Sequence, residues 1–239
     1  METARLSGLP RLLTRSFGGV GAIIAMHRVR APSDEPFQPN RTLEVTPSFL
    51  DRTLAHLRAR DIDIVHLDEV ERRLREQDFG RRFVCFTLDD GYADNYLEAF
   101  PVFKAHDAPF SIYLTSGFVD HTCLFWWMIL EEVIRRQDEV TLQFQGRSET
   151  LKTRTLEEKE QAFDVWHGHF RAFAADDVEA VARDFCDDYG IDPGAFCAEH
   201  AMTWDMARDI TEDGLGRIEA HTVSHVALSL LRPEDIEGD

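Results

Sequence analysis

The chain has 239 residues, with 26 basic side chains against 44 acidic ones and a formal net charge of −18. That balance argues against nucleic acid and anionic membrane surfaces as partners, since both need clustered Lys and Arg to neutralise phosphate. At 44% hydrophobic and 29% charged residues, the composition is that of a globular protein with a sizeable core, in one large domain or two small ones, and it excludes global disorder.

Four cysteines, Cys85, Cys123, Cys186 and Cys197, are too sparse for a disulfide scaffold and contain no CxxC pair, so they read as buried or incidental thiols. No stretch approaches the roughly 18 apolar residues of a membrane helix. Arg5, Arg11 and Arg15 ahead of the apolar run 20–26 imitate a signal peptide. The run is short, however, and ends in His27 and Arg28 where a cleavage site needs small residues. The expected location is therefore cytoplasmic.

In chain order, residues 4–15 suit a short amphipathic helix, and 20–26 a continuous apolar strand buried on both faces. A proline-rich loop spans 31–45. Thr46 as N-cap and Pro47 as first helical residue open a helix carrying Phe49, Leu50, Leu54 and Leu57 at helical spacing. A short strand at 62–66, a helix at 68–77, a buried strand at 83–88, a helix at about 93–106 and a strand at 110–115 follow. This alternation with short connections marks an α/β fold with a parallel sheet.

From 121 to 214 the rhythm changes to a mostly helical insertion. A helix is expected at 125–136, a hairpin around Gly146, a helix introduced by the capping box Thr155/Glu158, and another over 176–189. The α/β frame resumes with a brief strand at 217–220. A single domain, 1–239, is thus interrupted by the insertion 121–214.

Two segments carry chemistry. Asp89 and Asp90 close the buried strand that begins at Phe83, where unpaired carboxylates are costly to bury. They face solvent at the sheet's rim, cap the next helix or bind a cation. His221 and His225, four apart after another strand, would share one face of a helical turn and could reach one metal ion; the plainer reading is two surface histidines. Together, two imidazoles and one carboxylate make a common open site for a divalent metal, with the second carboxylate left free as a base. This requires both segments to share one rim, which parallel strands would provide.

The run 86–94 resembles the first motif of the polysaccharide deacetylases (the NodB-homology domain, carbohydrate esterase family four), with Leu88 where Phe is more usual. The run 221–225 resembles that family's second motif, and the resemblance extends over His27, the 46–57 helix and the 110–115 strand. It implies an incomplete, deformed (β/α) barrel of the TIM-like NodB type, which removes N-acetyl or O-acetyl groups from a carbohydrate with a divalent metal, usually zinc. By position, Asp89 is similar to the catalytic base. Asp90, His221 and His225 are similar to the metal ligands, and Thr222 to a hydroxyl residue that steadies the second motif.

His27 either lines the same rim or is a hydrogen-bonded core histidine. The family's later motifs, which supply an Arg partner for the base, an aromatic wall and a histidine for the leaving amine, lie downstream, whereas the sequence runs only 14 residues beyond His225. The expectation is the front portion of a longer protein, the alternative being a truncated and inactive relative, with weak metal binding and negligible turnover as it stands. Phe125, Trp126 and Trp127 could stack on sugar rings, although such stripes are more often core. His167 and His169, two apart on a helix, point to different faces and are not expected as ligands. No substrate-binding residue is assigned. The competing functions are a non-catalytic carbohydrate-binding relative and a metal-dependent amidohydrolase acting on a non-sugar amide.

Overall fold

The computed structural model describes residues 19–239 except 145, 174, 237 and 239. The helix expected at 4–15 lies outside the described residues. The framework is a parallel sheet in the order β1 (Gly21–Met26), β5 (Phe83–Asp90), β6 (Phe110–Leu114), β9 (Gly216–Ala220), with β4 (Asp63–Ile64) also paired to β5. Every pairing in this sheet is parallel. The N–H of Val65 donates to Val84 O and that of Thr115 to Asp90 O. Carbonyls of even-numbered residues leave β5 by one edge, so β4 and β6 follow one another along that edge while β1 takes the other. Among the described residues the strands form an open sheet and do not close a barrel.

The connections are helical, as the alternation predicts. α1 (Pro47–Arg58) begins where expected, with the Thr46 side chain accepting from the N–H of Phe49, and α2 (Leu67–Glu76) links β4 to β5. Between β5 and β6 the helix starts at Ala93, passes through a π-helical stretch over Asn95–Ala99 and continues as α3 (Phe100–Ala105). Pro101 has no N–H to donate to the preceding turn, so the ladder widens there. α1, α3 and α9 (Trp204–Asp213) cover the sheet through Leu54, Phe103, Ile210 and the strand residues Phe86, Leu88 and Ile112, all buried.

β1 departs from the expected doubly buried strand. Its first five residues are exposed or half-buried, Ile23 at 53%. Among the described residues β1 pairs only with β5 and stands at the end of the sheet, so an apolar run here marks an edge and not the middle. The apolar pattern is shared by both.

Residues between β6 and β9 build a second core. α4 (Ser116–Val119) leads to α5 (Trp126–Arg136), the antiparallel hairpin β7 (Glu139–Phe144) and β8 (Arg147–Lys152), α6 (Leu156–Ala172), α7 (Ala175–Tyr189) and α8 (Pro193–His200). The hairpin turns through Gly146 at φ 75°, and both halves of the Thr155/Glu158 capping box form. Trp127, Leu130, Val133, Phe163, Trp166, Phe170 and Phe185 bury together here. The helices α8 and α9 were not foreseen. α8 opens on the cap residue Asp192 with no strong apolar period behind it, whereas α9 opens on Thr203 and does carry an apolar face with Met206, Ala207 and Ile210, a signal that the sequence reading passed over. The cysteines carry no disulfide: Cys85, Cys186 and Cys197 are buried free thiols, and Cys123 is half-buried.

Candidate functional site

Register brings the two motifs to one rim. Met26 pairs with Leu88, Asp90 with Leu114, and Leu114 with Ala220, so the residues following β1, β5 and β9 leave the sheet at the same level. His27, the Asp89–Asp90 pair and His221 therefore gather at the carboxyl ends of parallel strands, where α/β folds place their sites.

One ligand atom each from Asp90, His221 and His225 lie within 4.8 Å of one another. The Asp90 oxygen Oδ1 is 3.0 Å from Nε2 of His225 and 3.6 Å from Nε2 of His221. It is nonetheless a buried atom that meets no hydrogen-bond donor in bonding alignment. Three lone-pair donors that converge without satisfying each other could hold a divalent cation. Burial, acting alone, would raise the Asp90 carboxyl, but His225, His27 and His221 facing it hold it below its ordinary value.

The segment carrying the histidines is not the helical turn that their spacing suggests. Residues after Ala220 form an irregular loop with Thr222 at φ 63° and His225 at φ 56°. Left-handed backbone at a β-branched residue is strained, and the loop holds it by local hydrogen bonds. Thr222 Oγ1 accepts from the N–H of His225 at 2.9 Å, Thr115 Oγ1 donates to the carbonyl of His221 at 2.8 Å, and the N–H of Gly117 donates to the carbonyl of Val223 at 2.9 Å. This turn brings the two imidazoles together with ring centres 5.4 Å apart. Phe118 and Trp127 pack against the His225 ring, at 5.3 and 5.0 Å.

Asp90 is itself left-handed, φ 75°, and is followed by Gly91 at φ 80°. Behind it stands Tyr92, fully buried, whose hydroxyl accepts from Nε1 of Trp127 at 3.0 Å; burial and the nearby Asp90 charge push the phenol well up. The Arg28 guanidinium lies 4.8 Å over the Tyr92 ring and pairs with buried Asp94 at 2.8 Å, while Asp94 also accepts from the N–H of Val29. The floor of the site is thus an aromatic and ionic layer that joins β2 (Arg28–Val29), the turn after β5 and α5.

Asp89 is half-buried outside the trio, and its carboxyl is raised by burial, against the pull of His221 and His27. His27 is half-buried and lines the cleft, with its carbonyl accepting from Asn95 at 2.8 Å. Phe125 and Trp127 are core, as aromatic stripes usually are, whereas half-buried Trp126 lines the cleft. His167 and His169 do diverge: His167 lines the cleft, and His169 lies 3.8 Å from Glu149 on the outside. Tyr92, Thr115 and Gly117 escaped the sequence reading. The rule that placed Asp90 at a strand end applies equally to Thr115 after β6, but Gly117 has no local signal for a partner a hundred residues away.

No protein-family model matches the chain, and no curated protein does. Among solved structures it is similar to a de-N-acetylase from Aggregatibacter actinomycetemcomitans, at 14% identity and a TM-score of 0.45 over 84% of this chain and 54% of that one. A polysaccharide deacetylase from Bacillus cereus matches at 12% identity and 0.47, over 90% of this chain and 43% of that one. A deacetylase from Streptococcus pyogenes matches at 16% and 0.38, over 89% and 98%. The chain spans about half the length of the first two. All three TM-scores lie below 0.5.

Proposed function

We propose that the protein is a metal-dependent hydrolase that removes acetyl groups, N-linked or O-linked, from a carbohydrate. The observation that carries this reading is the convergence of Asp90, His221 and His225, remote in sequence, on a point where the buried Asp90 Oδ1 has no hydrogen-bond partner. Two imidazoles and one carboxylate are the donor set of an open zinc site, and zinc is the ion assigned. When bound, it supplies positive charge that polarises an acetyl carbonyl and acidifies water.

The protein's own groups divide the remaining work. Asp89 stands outside the trio but within charge reach of His221 and His27, so one carboxylate can hold the ion while the other is free. Asp89, raised by burial, accepts at its carboxylate a proton from the attacking water, and that proton balances the one the departing amine or alcohol must gain. Phe118 and Trp127 fix the His225 ring and keep solvent from its flank.

Zinc content and acetate release separate the roles. Asp90→Ala and His221→Ala are expected to lose zinc on dialysis while the unaltered protein keeps it; unchanged content in both removes the ligand set. Asp89→Asn is expected to retain zinc and to lose acetate release from acetylated oligomers of chitin, xylan or peptidoglycan. Release at the unaltered rate overturns its role as base.

A further inference from the structure

The cleft beside the trio is larger than one acetylated sugar requires. It encloses about 890 Å³, near the upper end of the roughly 300–1,000 Å³ typical of small-molecule sites. One wall is the rim with Asp90, His221 and His225; another comes from α5 and α6 of the insertion. There α6 presents Asp164, His167 and Arg171, at positions i, i+3 and i+7 and hence along one stripe of the helix. Trp126 of α5 lies beside them, stacked on Phe170 with ring centres 4.9 Å apart and planes 4° from parallel, and 5.1 Å from the His167 ring.

This stripe fits neither a core face nor an ordinary solvated one. A core face would not carry Asp164 and Arg171, both exposed and in no ion pair or side-chain hydrogen bond among the described residues. A solvated face would not bring an indole to the same opening. Aromatic rings flanked by carboxylate, guanidinium and imidazole suit an uncharged sugar. The C–H bonds on a pyranose face carry the positive end of their dipoles toward the negative π surface. Its hydroxyls can donate to Asp164, accept from Arg171, and do either with the neutral imidazole of His167. Glu179 also lines the cleft, and the whole chain carries −18, which disfavours an anionic glycan.

We propose that Trp126 and the α6 stripe Asp164, His167 and Arg171 form a second sugar subsite, holding an uncharged pyranose next to the one being deacetylated. The inference rests on the trio being a deacetylase centre and deepens that reading: the substrate is an oligomer or polymer and not a single sugar.

Binding tests this without turnover. Monomers and tetramers of acetylated sugars from chitin, xylan and peptidoglycan are titrated against the protein, with and without zinc, by calorimetry. In at least one series the tetramer is expected to bind about tenfold more tightly than its monomer, the size of one lost aromatic contact and its burial. Trp126→Ala should erase that preference, and so should the exposed pair Asp164→Ala with Arg171→Ala, which leaves the core intact. Trp126→Phe, which keeps a ring, should retain most of it. Absence of tetramer preference in every series, or a preference that survives these variants, overturns the subsite. The deacetylase reading fails separately, through full zinc content in both Asp90→Ala and His221→Ala, which leaves the zinc-free titrations standing.

Discussion

Asp90 occupies left-handed backbone, is 2% exposed and faces two imidazoles, three features that no single neighbour supplies. Tyr92 stands close behind it, with its hydroxyl fixed by Trp127. Groups that orient a metal ligand commonly alter affinity by about 10–100-fold when removed. Tyr92→Phe, which deletes only that hydroxyl, is therefore expected to lower zinc affinity by about tenfold or more in a competition with a chelator, and unchanged affinity would show that Asp90 needs no such support. The motif residues themselves were legible in the sequence only in combination, because each pair alone has an ordinary reading whereas carboxylates and imidazoles that both follow strands make one metal-type donor set. Tyr92 was not legible, since a tyrosine beside a motif looks the same whether it points to a ligand or into the core.

A second residue reports on pH. Burial, and after it the charges of Arg28 and Arg30, push the His200 imidazole down to about 4. In the unfolded chain its pKa is near the ordinary value of about 6.5, so between these limits the unfolded state binds the extra proton. The stability held by neutral His200 is complete above about pH 6.5 and is lost as pH falls toward 4, with a slope of at most about 1.4 kcal/mol per pH unit. Urea midpoints measured across that window should fall with acid, and His200→Gln should flatten the fall. An identical slope in the variant would place the titration elsewhere.

Elements whose starts are written in local chemistry were the easiest to read. Thr46 with Pro47, and Thr155 with Glu158, satisfy orphan helix N–H groups within one turn, so the sequence alone marks them. The loop after β9 was misread as a helical turn because spacing of four is shared by a helix and by a turn with two left-handed residues. Its shape is set from outside, by Thr115 and Gly117. A methyl group on Gly117 would stand 2.3 Å from the Val223 carbonyl oxygen and 2.6 Å from Cys123 Sγ, so the loop has to move to admit it. Gly117→Ala is expected to cost about 1–3 kcal/mol, as overpacking does. It should also weaken zinc binding, because the displaced segment carries both histidines. A variant with lowered stability and full zinc affinity would mean that the loop tolerates the shift.

At the scale of the molecule, the parallel sheet was legible from alternation, and the location of its edges was not, since an apolar strand reads alike in both places. The division into separate cores could be seen only in space. One lies between the sheet and α1, α3 and α9, a smaller one gathers Val65, Val70, Phe83 and Cys85, and the largest lies among the residues between β6 and β9, where an aromatic joint closes it beneath the trio. Phe118 stacks on Phe125 at 4.1 Å, Phe125 on Tyr92 at 5.0 Å, and Phe118 also touches the ring of His225. The site therefore depends on the insertion being folded, although its ligands all belong to the sheet's rim. Phe118→Ala and Phe103→Ala each empty a fully buried position, and each is expected to cost about 3–5 kcal/mol. Only the first sits at the joint; Phe103 packs on Phe86 and Phe110 on the helix side of the sheet. Zinc affinity should fall in Phe118→Ala and hold in Phe103→Ala under conditions where both remain folded. Trp126, Trp127 and Trp166 lie in the insertion's core or against it, and the fourth tryptophan, Trp204, is exposed on α9, so in a Trp204→Phe background tryptophan fluorescence follows that core during urea unfolding. Zinc release should coincide with the fluorescence transition; an ion retained after that transition would separate that core from the site and place the support of the histidines wholly within the sheet.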